Sequence, residues 1–324
     1  MFKLLSIEPS NYSNKARAIL TGIVEINEIN VDRDQLLSMI CDYDVLLVRL
    51  AHNIDKEVLD KAKKLKVIVS ATTGLNHIDI VAANKLGIDV LSLKNETDFL
   101  KTVTSTAEHT WGLILALLRK LPQSVDSVKQ GEWERDRFKG EELKGKTIGI
   151  VGYGRLGKIV ASYAKVFRMK VVINSPDIED DIDEEFEIRP LDYLLANSDI
   201  VTIHVPLNNE TRNLIDRNKL KRLKKEAYLI NTSRGEVVDE VALLDNLNEE
   251  KIAGAALDVL CGETYSQYGD SGWPGNDLLI EYARNNSNLL ITPHIGGATI
   301  DGMEATEIFM ANKLKDYLAN QKSD

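Results

Sequence analysis

The sequence predicts an α/β protein of two doubly wound parallel-sheet domains, and three observations carry that reading. Short β-rich runs alternate with helical patterns up to about position 93; the rhythm then breaks, and a second alternating series begins near position 147. A chain of 324 residues is long enough for two such domains. Within the second series a strand runs straight into a glycine-rich turn and then a helix. Repeating strand–helix units imply a parallel sheet covered on both faces.

The elements follow in order. Met1-Phe2-Lys3-Leu4-Leu5-Ser6-Ile7-Glu8 reads as a first strand, because it is too short and too soon charged for a signal peptide. Val45-Leu46-Leu47-Val48-Arg49 reads as a buried strand, and residues 55–65 follow with helical spacing. Val67-Ile68-Val69 is the next strand, with a helix over 78–86 after it. Gly87 is placed to stop that helix before the strand Ile88-Asp89-Val90-Leu91. Residues 106–118 form a long helix, hydrophobic nearly all round over 111–118, so it must be buried in a core or against another subunit. Residues 131–145 are looser. The second series has strands at 147–151, 170–173, 200–204, 228–231, 253–257 and 289–291. The acidic run 177–187 reads as a surface loop, and the tail 299–320 as an amphipathic helix.

The composition narrows the function classes. With 44% apolar and 28% charged residues the chain is that of an ordinary soluble protein. Its longest apolar run, about 111–118, is far short of a membrane span of about 20 residues. The formal charge of −10 argues against nucleic acid, whose phosphates demand clustered Lys and Arg. Two cysteines, Cys41 and Cys261, argue against a disulfide framework and for a cytoplasmic location. No metal site is expected.

Gly152-x-Gly154-x-x-Gly157 follows the strand 147–151 at once and opens a helix at Lys158-Ile159-Val160-Ala161. That context is what a dinucleotide site requires. Gly152 allows the tight turn, Gly154 lets the backbone approach a pyrophosphate, and Gly157 lets helix and strand pack closely. The helix N-terminus then faces the phosphates with N–H groups and a positive dipole. An acid for the ribose should stand at the end of the next strand, but the chain there reads Val171-Val172-Ile173-Asn174-Ser175-Pro176-Asp177. Ser175 occupies the acid's place. No cation is adjacent to grip the extra phosphate of NADP, and the acidic residues from Asp177 onward would repel it. NAD is therefore expected over NADP, with Ser175 or Asp177 meeting the ribose.

Arg234, Glu263 and His294 are the candidate catalytic residues. An Arg, a carboxylate and a His are the groups needed to move a hydride onto a 2-oxo acid. The planar fork of Arg234 can hold a carboxylate and a carbonyl oxygen together. His294 exchanges the proton, and Glu263 orients its ring, fixes its tautomer and stabilises the imidazolium. His109, on the apolar helix, reads as a satisfied core histidine; His52 and His77 read as structural or exposed. Cys261 reads as a small packing residue.

At this point the chain resembles the D-isomer-specific 2-hydroxyacid dehydrogenases almost end to end. The nucleotide-binding turn at 147–157, His204-Val205-Pro206-Leu207-Asn208-Asn209-Glu210-Thr211, the stretch 229–238 containing Asn231-Thr232-Ser233-Arg234-Gly235, and the segments 253–263 and 292–299 match five ordered family motifs. The nearest likeness is to short phosphoglycerate dehydrogenase-like members without a regulatory C-terminal domain.

The resemblance implies a Rossmann cofactor domain, residues 101–296, inserted into a flavodoxin-like substrate domain made of 1–100 and 297–324, with catalysis in the cleft between them. It implies an NAD-dependent oxidoreductase acting on a small 2-hydroxy or 2-oxo acid, as a homodimer. Besides the glycines, it assigns Arg155, Leu156, His204, Val205, Pro206, Thr211, Thr232, Asp258 and Gly296 to the cofactor. Asp258 would meet the nicotinamide carboxamide, with helix or turn capping as the alternative. Backbone N–H groups of the turn at 71–76, through Thr73, Gly74 and Leu75, would hold the substrate carboxylate, and Arg49 would read a distal charge or form a surface ion pair. Two departures stand out: Thr264 follows Glu263 where the family places Pro, and a Gly- and Tyr-rich segment at 265–273 lengthens the stretch to His294. A non-catalytic NAD(H)-sensing regulatory protein of the same fold remains the alternative. Formate-type relatives carry Gln at the acid position, so Glu263 argues against them.

Overall fold

A computed structural model describes residues 1–176, 182–263 and 277–321. The described chain divides into two compact units, residues 1–103 with 299–321 and residues 104–263 with 277–298.

The first unit is a five-stranded parallel sheet. Its strands are β1 (Phe2–Ser6), β2 (Val24–Glu28), β3 (Val45–Leu47), β4 (Val67–Ser70) and β5 (Asp89–Ser92), in the order β2-β1-β3-β4-β5. That is the flavodoxin-like order, with its topological switch between β1 and β3. Successive side chains on one strand feed opposite cores: Leu4 packs on one face and Leu5 on the other, and Leu47 and Leu46 divide in the same way. Each fully buried Leu or Ile contributes about 1.5–3 kcal/mol. The terminal helix Ile300–Asn320 joins this unit by burying Met310, Ala311, Leu314 and Leu318, and Thr299 caps its N-terminus.

The second unit is a seven-stranded parallel sheet. Its strands are β6 (Thr147–Val151), β7 (Lys170–Asn174), β8 (Glu187–Ile188), β9 (Ile200–Ile203), β10 (Tyr228–Asn231), β11 (Gly254–Leu257) and β12 (Leu289–Ile291), in the order β12-β11-β10-β9-β6-β7-β8. The chain starts at β6, builds outward through β7 and β8, then crosses to β9. This is the dinucleotide-binding order with one added edge strand, and its switch lies between β6 and β9. The helix Ser105–Leu118 buries Ala107, Trp111, Ile114 and Leu118 in this unit's core, settling the choice between core and subunit contact for those side chains.

Several expectations shift in detail. The helix expected at 55–65 is Lys56–Lys61, capped by Asp55, and that expected at 78–86 is Ile80–Lys85, capped by Asp79. The acidic run expected to be a loop through 187 ends inside β8, because Glu187 and Ile188 pair with Val172 and Ile173. Two short strands, β2 and β8, were missed: each is largely exposed and lacks an apolar run.

Candidate functional site

Parallel topology brings the expected site residues of the second unit to one edge of its sheet. The glycine turn follows β6, Ser175 follows β7, His204 follows β9, Thr232 to Arg234 follow β10, Asp258 follows β11 and His294 follows β12. Ligands gather at this carboxyl end in open α/β sheets.

The glycine turn has the shape of a phosphate cradle. Gly152 has φ +96°, and a Cβ there would lie 2.7 Å from the His204 carbonyl oxygen. A Cβ on Gly157 would lie 2.1 Å from the Gly152 oxygen, so helix and strand touch through glycine alone. Gly154 precedes the helix Arg155–Val166 with no side-chain cap, and nothing lies within 4 Å of a Cβ built on it. Beside the turn, His204 Nε2 lies 2.9 Å from Thr202 Oγ1, while its Nδ1 is buried without a hydrogen-bond partner among the described residues. Burial pushes this imidazole down to about 4. Val205 packs beside Gly152, and Thr211 Oγ1 donates to the Pro206 carbonyl at 2.6 Å, closing the loop after β9. Arg155 and Leu156 lie in the first turn of the helix, and burial lowers the Arg155 guanidinium. An open cradle with an orphaned buried nitrogen beside it fits a dinucleotide.

Asp177 lies outside the described residues. Arg189, a cation that the linear reading did not place, follows the strand paired with β7. Arg189 N donates to Ile173 O at 2.9 Å, and Asn174 Nδ2 donates to Arg189 O at 3.0 Å, fifteen residues away in sequence. The guanidinium pairs with Glu187 at 3.0 Å and lies over the Tyr193 ring. Only the pairing of β7 with β8 could reveal this neighbour.

Glu263 and His294 meet directly. His294 Nδ1 lies 2.5 Å from Glu263 Oε1, and Leu260 N donates to Glu263 Oε2 at 3.2 Å. His294 adopts φ +52°, a left-handed conformation that a non-glycine residue holds only when its surroundings impose it. Asp258 supplies those surroundings. Its backbone carbonyl accepts from His294 N at 2.8 Å. Its carboxylate, 1% exposed, accepts from Thr292 Oγ1 at 2.6 Å, Ile295 N at 2.9 Å and Gly296 N at 2.8 Å. His109 Nε2 stands 3.1 Å from the same carboxylate and 3.0 Å from Thr292 Oγ1. Burial alone would raise the Asp258 carboxyl; these bonds outweigh it and hold the group below the usual range. Asp258 and the Gly296 N–H are therefore engaged in turn capping, and His109 is a satisfied histidine that braces the loop carrying His294.

The Arg234 turn is clamped by Asn231, whose Nδ2 donates to Arg234 O at 2.8 Å and whose Oδ1 accepts from Ser233 N at 3.0 Å. Thr232 Oγ1 lies 2.9 Å from Thr110 Oγ1, fixing the turn to the apolar helix. Gly235 abuts the Glu263 loop: a Cβ there would fall 2.1 Å from Leu260 C and 2.2 Å from Cys261 N. The buried carboxylate of Glu240 accepts from Cys261 N at 2.6 Å. Cys261, expected to pack, is instead exposed; its contribution here is its backbone. Residues 264 and 265–273 lie outside the described residues.

Arg49 and the turn at 71–76 belong to the first unit, after β3 and β4. Thr72 Oγ1 donates to Gly74 O at 2.9 Å and lies 2.9 Å from Ser70 Oγ, which stands 3.3 Å from the buried His77 Nε2. Thr73 is exposed and Gly74 and Leu75 are half-buried. Arg49 Nη1 donates to Ser10 O at 3.0 Å, and Nη2 approaches Met303 Sδ at 3.6 Å.

Comparison with known proteins agrees with this arrangement. Residues 111–296 match the family model described as D-isomer specific 2-hydroxyacid dehydrogenase, NAD binding domain. A D-3-phosphoglycerate dehydrogenase of Methanocaldococcus jannaschii is 36% identical over 328 residues, covering 100% of this chain and 59% of its own length. The chain thus spans little more than half of that relative. A glyoxylate reductase of Thermofilum pendens is 42% identical over 291 residues, covering 87% of this chain and 80% of that protein. The structure of a D-lactate dehydrogenase from Aquifex aeolicus, complexed with NAD and lactic acid, matches with a TM-score of 0.86 at 28% identity, covering 99% and 96% of the two chains; another similar structure holds NADPH. With the glycine cradle, the paired His and Glu and the family model all falling on one unit, the chain belongs to the D-isomer-specific 2-hydroxyacid dehydrogenase family.

Proposed function

We propose that this protein is an NAD-dependent dehydrogenase acting between a D-2-hydroxy acid and its 2-oxo acid. The contact between His294 and Glu263 carries the reading, because a histidine held in one tautomer by a carboxylate is what proton exchange at a carbonyl oxygen needs. NAD, when bound, supplies or accepts the hydride. Arg234 binds the substrate carboxylate and polarises the carbonyl. In reduction, His294 Nε2 gives its proton to the carbonyl oxygen as the alcohol forms; in oxidation the neutral ring takes it back. Glu263, holding Nδ1, keeps Nε2 turned toward the substrate and stabilises the charged ring. Thr73, Gly74 and Leu75 offer backbone N–H groups to the carboxylate, and Arg49 reads a distal negative charge on the substrate.

The second unit is read as a cofactor domain inserted into a discontinuous substrate domain. A homodimer is supported by exposed Leu121, Val125 and Val128 on the helix Leu121–Lys129, with Trp133 88% exposed just beyond it. Two unpaired cysteines support a cytoplasmic location. NADH oxidation over a panel of 2-oxo acids tests the activity. NADH binding without turnover of any of them would favour the sensing role over catalysis.

A further inference from the structure

The carboxylate of Glu8 fills an anion nest in the first unit. Glu8 lies just past the end of β1 and is 1% exposed. Its Oε1 accepts from Arg49 N at 3.0 Å, and its Oε2 accepts from Leu50 N at 3.1 Å and Ala51 N at 3.2 Å. Three consecutive backbone N–H groups converging on one point make a concavity suited to an anion. This one sits between the ends of β1 and β3, the topological switch of the sheet, where a ligand's negative group would normally lodge. Here the protein provides the anion itself. Those N–H groups are therefore not offered to a substrate. The loop they belong to carries two basic side chains, Arg49 and His52. His52 is lowered by burial, opposed by the charge of Glu8.

We propose that Glu8 is a positioning residue that fixes the loop at 49–52 and thereby sets where the Arg49 guanidinium meets the substrate's distal group. The inference rests on the reading of Arg49 given above. The physical argument is one of rigidity. A loop tied by three charge-assisted bonds to a buried anion presents its side chain from a fixed base, and those bonds are stronger than neutral ones. With Glu8→Gln the amide offers one oxygen, and its NH2 group faces donors it cannot satisfy. The base loosens while the charge of Arg49 remains.

The test compares two classes of substrate. KM and kcat are measured for oxaloacetate, 2-oxoglutarate and glyoxylate, the first two carrying a second carboxylate. Glu8→Gln is expected to raise KM for the dicarboxylic acid that is turned over best by about tenfold, the size of one weakened bond to a charged group. KM for glyoxylate and Kd for NADH should stay within about twofold, a shift below 0.5 kcal/mol. Glu8→Asp, too short to span the nest, should behave like Glu8→Gln. Equal KM changes for both classes, or none, would overturn the proposal. Arg49→Ala separates the two readings: if it leaves the ratio between dicarboxylate and glyoxylate unchanged, or if the wild type turns over no dicarboxylate, the reading of Arg49 fails. If Arg49→Ala moves that ratio and Glu8→Gln does not, Glu8 alone is misassigned. Should the Glu8 variants fail to fold, hydrogen exchange in the wild type decides. The amides of residues 49–51 must be protected; exchange at open-loop rates would overturn the proposal.

Discussion

His294 Nδ1 stands 2.5 Å from Glu263 Oε1, and Glu263 Oε2 is held by the Leu260 amide. The carboxylate is thus fixed at both oxygens, one by its own loop and one by the imidazole. Proton exchange at the carbonyl oxygen needs this ring held in one orientation. Glu263→Gln keeps the shape of the side chain but gives up the charge-assisted bond, so kcat is expected to fall by about tenfold or more in both directions while Kd for NADH stays nearly unchanged. Wild-type kcat in the variant would exclude Glu263 as the partner.

Arg234→Lys is expected to weaken oxo-acid binding and lower turnover while leaving NADH affinity nearly intact. Lysine keeps the charge but loses the fork. The loss of one such donor at a developing oxyanion costs roughly 3–4 kcal/mol of transition-state stabilisation. Wild-type kcat/KM in the variant would refute the assignment.

Gly235 ties the Arg234 turn to the acid-bearing loop, because its missing Cβ is what lets the two backbones touch. Gly235→Ala forces Leu260 and Cys261 outward. Overpacking of this kind costs about 1–3 kcal/mol of stability. Displacement of the Glu263 loop should also lower kcat by more than it changes Kd for NADH. A variant whose kcat is unchanged would show that the two loops are not mechanically coupled.

Ser175 stands where an acid is expected for the ribose, and Arg189 follows the neighbouring strand. NADH is expected to bind more tightly than NADPH, because an added phosphate of about −2 charge would be disfavoured by the acidic stretch that follows Ser175 in the sequence. Ser175→Asp should widen the margin by repulsion, and Arg189→Ala should widen it by removing the neighbouring cation. Kd for both cofactors at one ionic strength measures this. Tighter NADPH binding by the wild type, lost in Arg189→Ala, would reverse the preference and assign it to Arg189.

His204 predicts acid sensitivity of the fold. Burial depresses its imidazole from 6.5 to about 4. The unfolded chain therefore takes up a proton near pH 6.5 and the folded chain only near pH 4, so the stability that the neutral ring contributes is present above 6.5 and lost as pH falls between those values. At about 1.4 kcal/mol per unit the loss approaches roughly 3 kcal/mol. His204→Gln should flatten the dependence of the urea midpoint on pH over that window. An equally steep slope in the variant would mean other groups cause it.

Much of the fold was legible in the linear chain because buried parallel strands are written as unbroken apolar runs: Val45-Leu46-Leu47-Val48 and Ile200-Val201-Thr202-Ile203 need no context to be read. Two of the four edge strands, Val24–Glu28 and Glu187–Ile188, lack that signature because most of their residues are exposed, and they escaped. The glycine turn was legible too, since Gly152 and Gly157 are dictated by local backbone geometry. Beyond the pairing of Glu263 with His294, which their chemistry suggested, sequence could not supply the relations between distant residues. Arg189 beside Asn174, Glu8 beneath Arg49, His109 and Thr292 around Asp258, and Gly235 against Leu260 join stretches separated by 15 to 149 positions. By itself the sequence determined which groups are present and which local conformations they adopt, because those follow from side-chain chemistry and backbone sterics. Tertiary structure alone decided which groups share a carboxylate or a nest, because that depends on strand order and register.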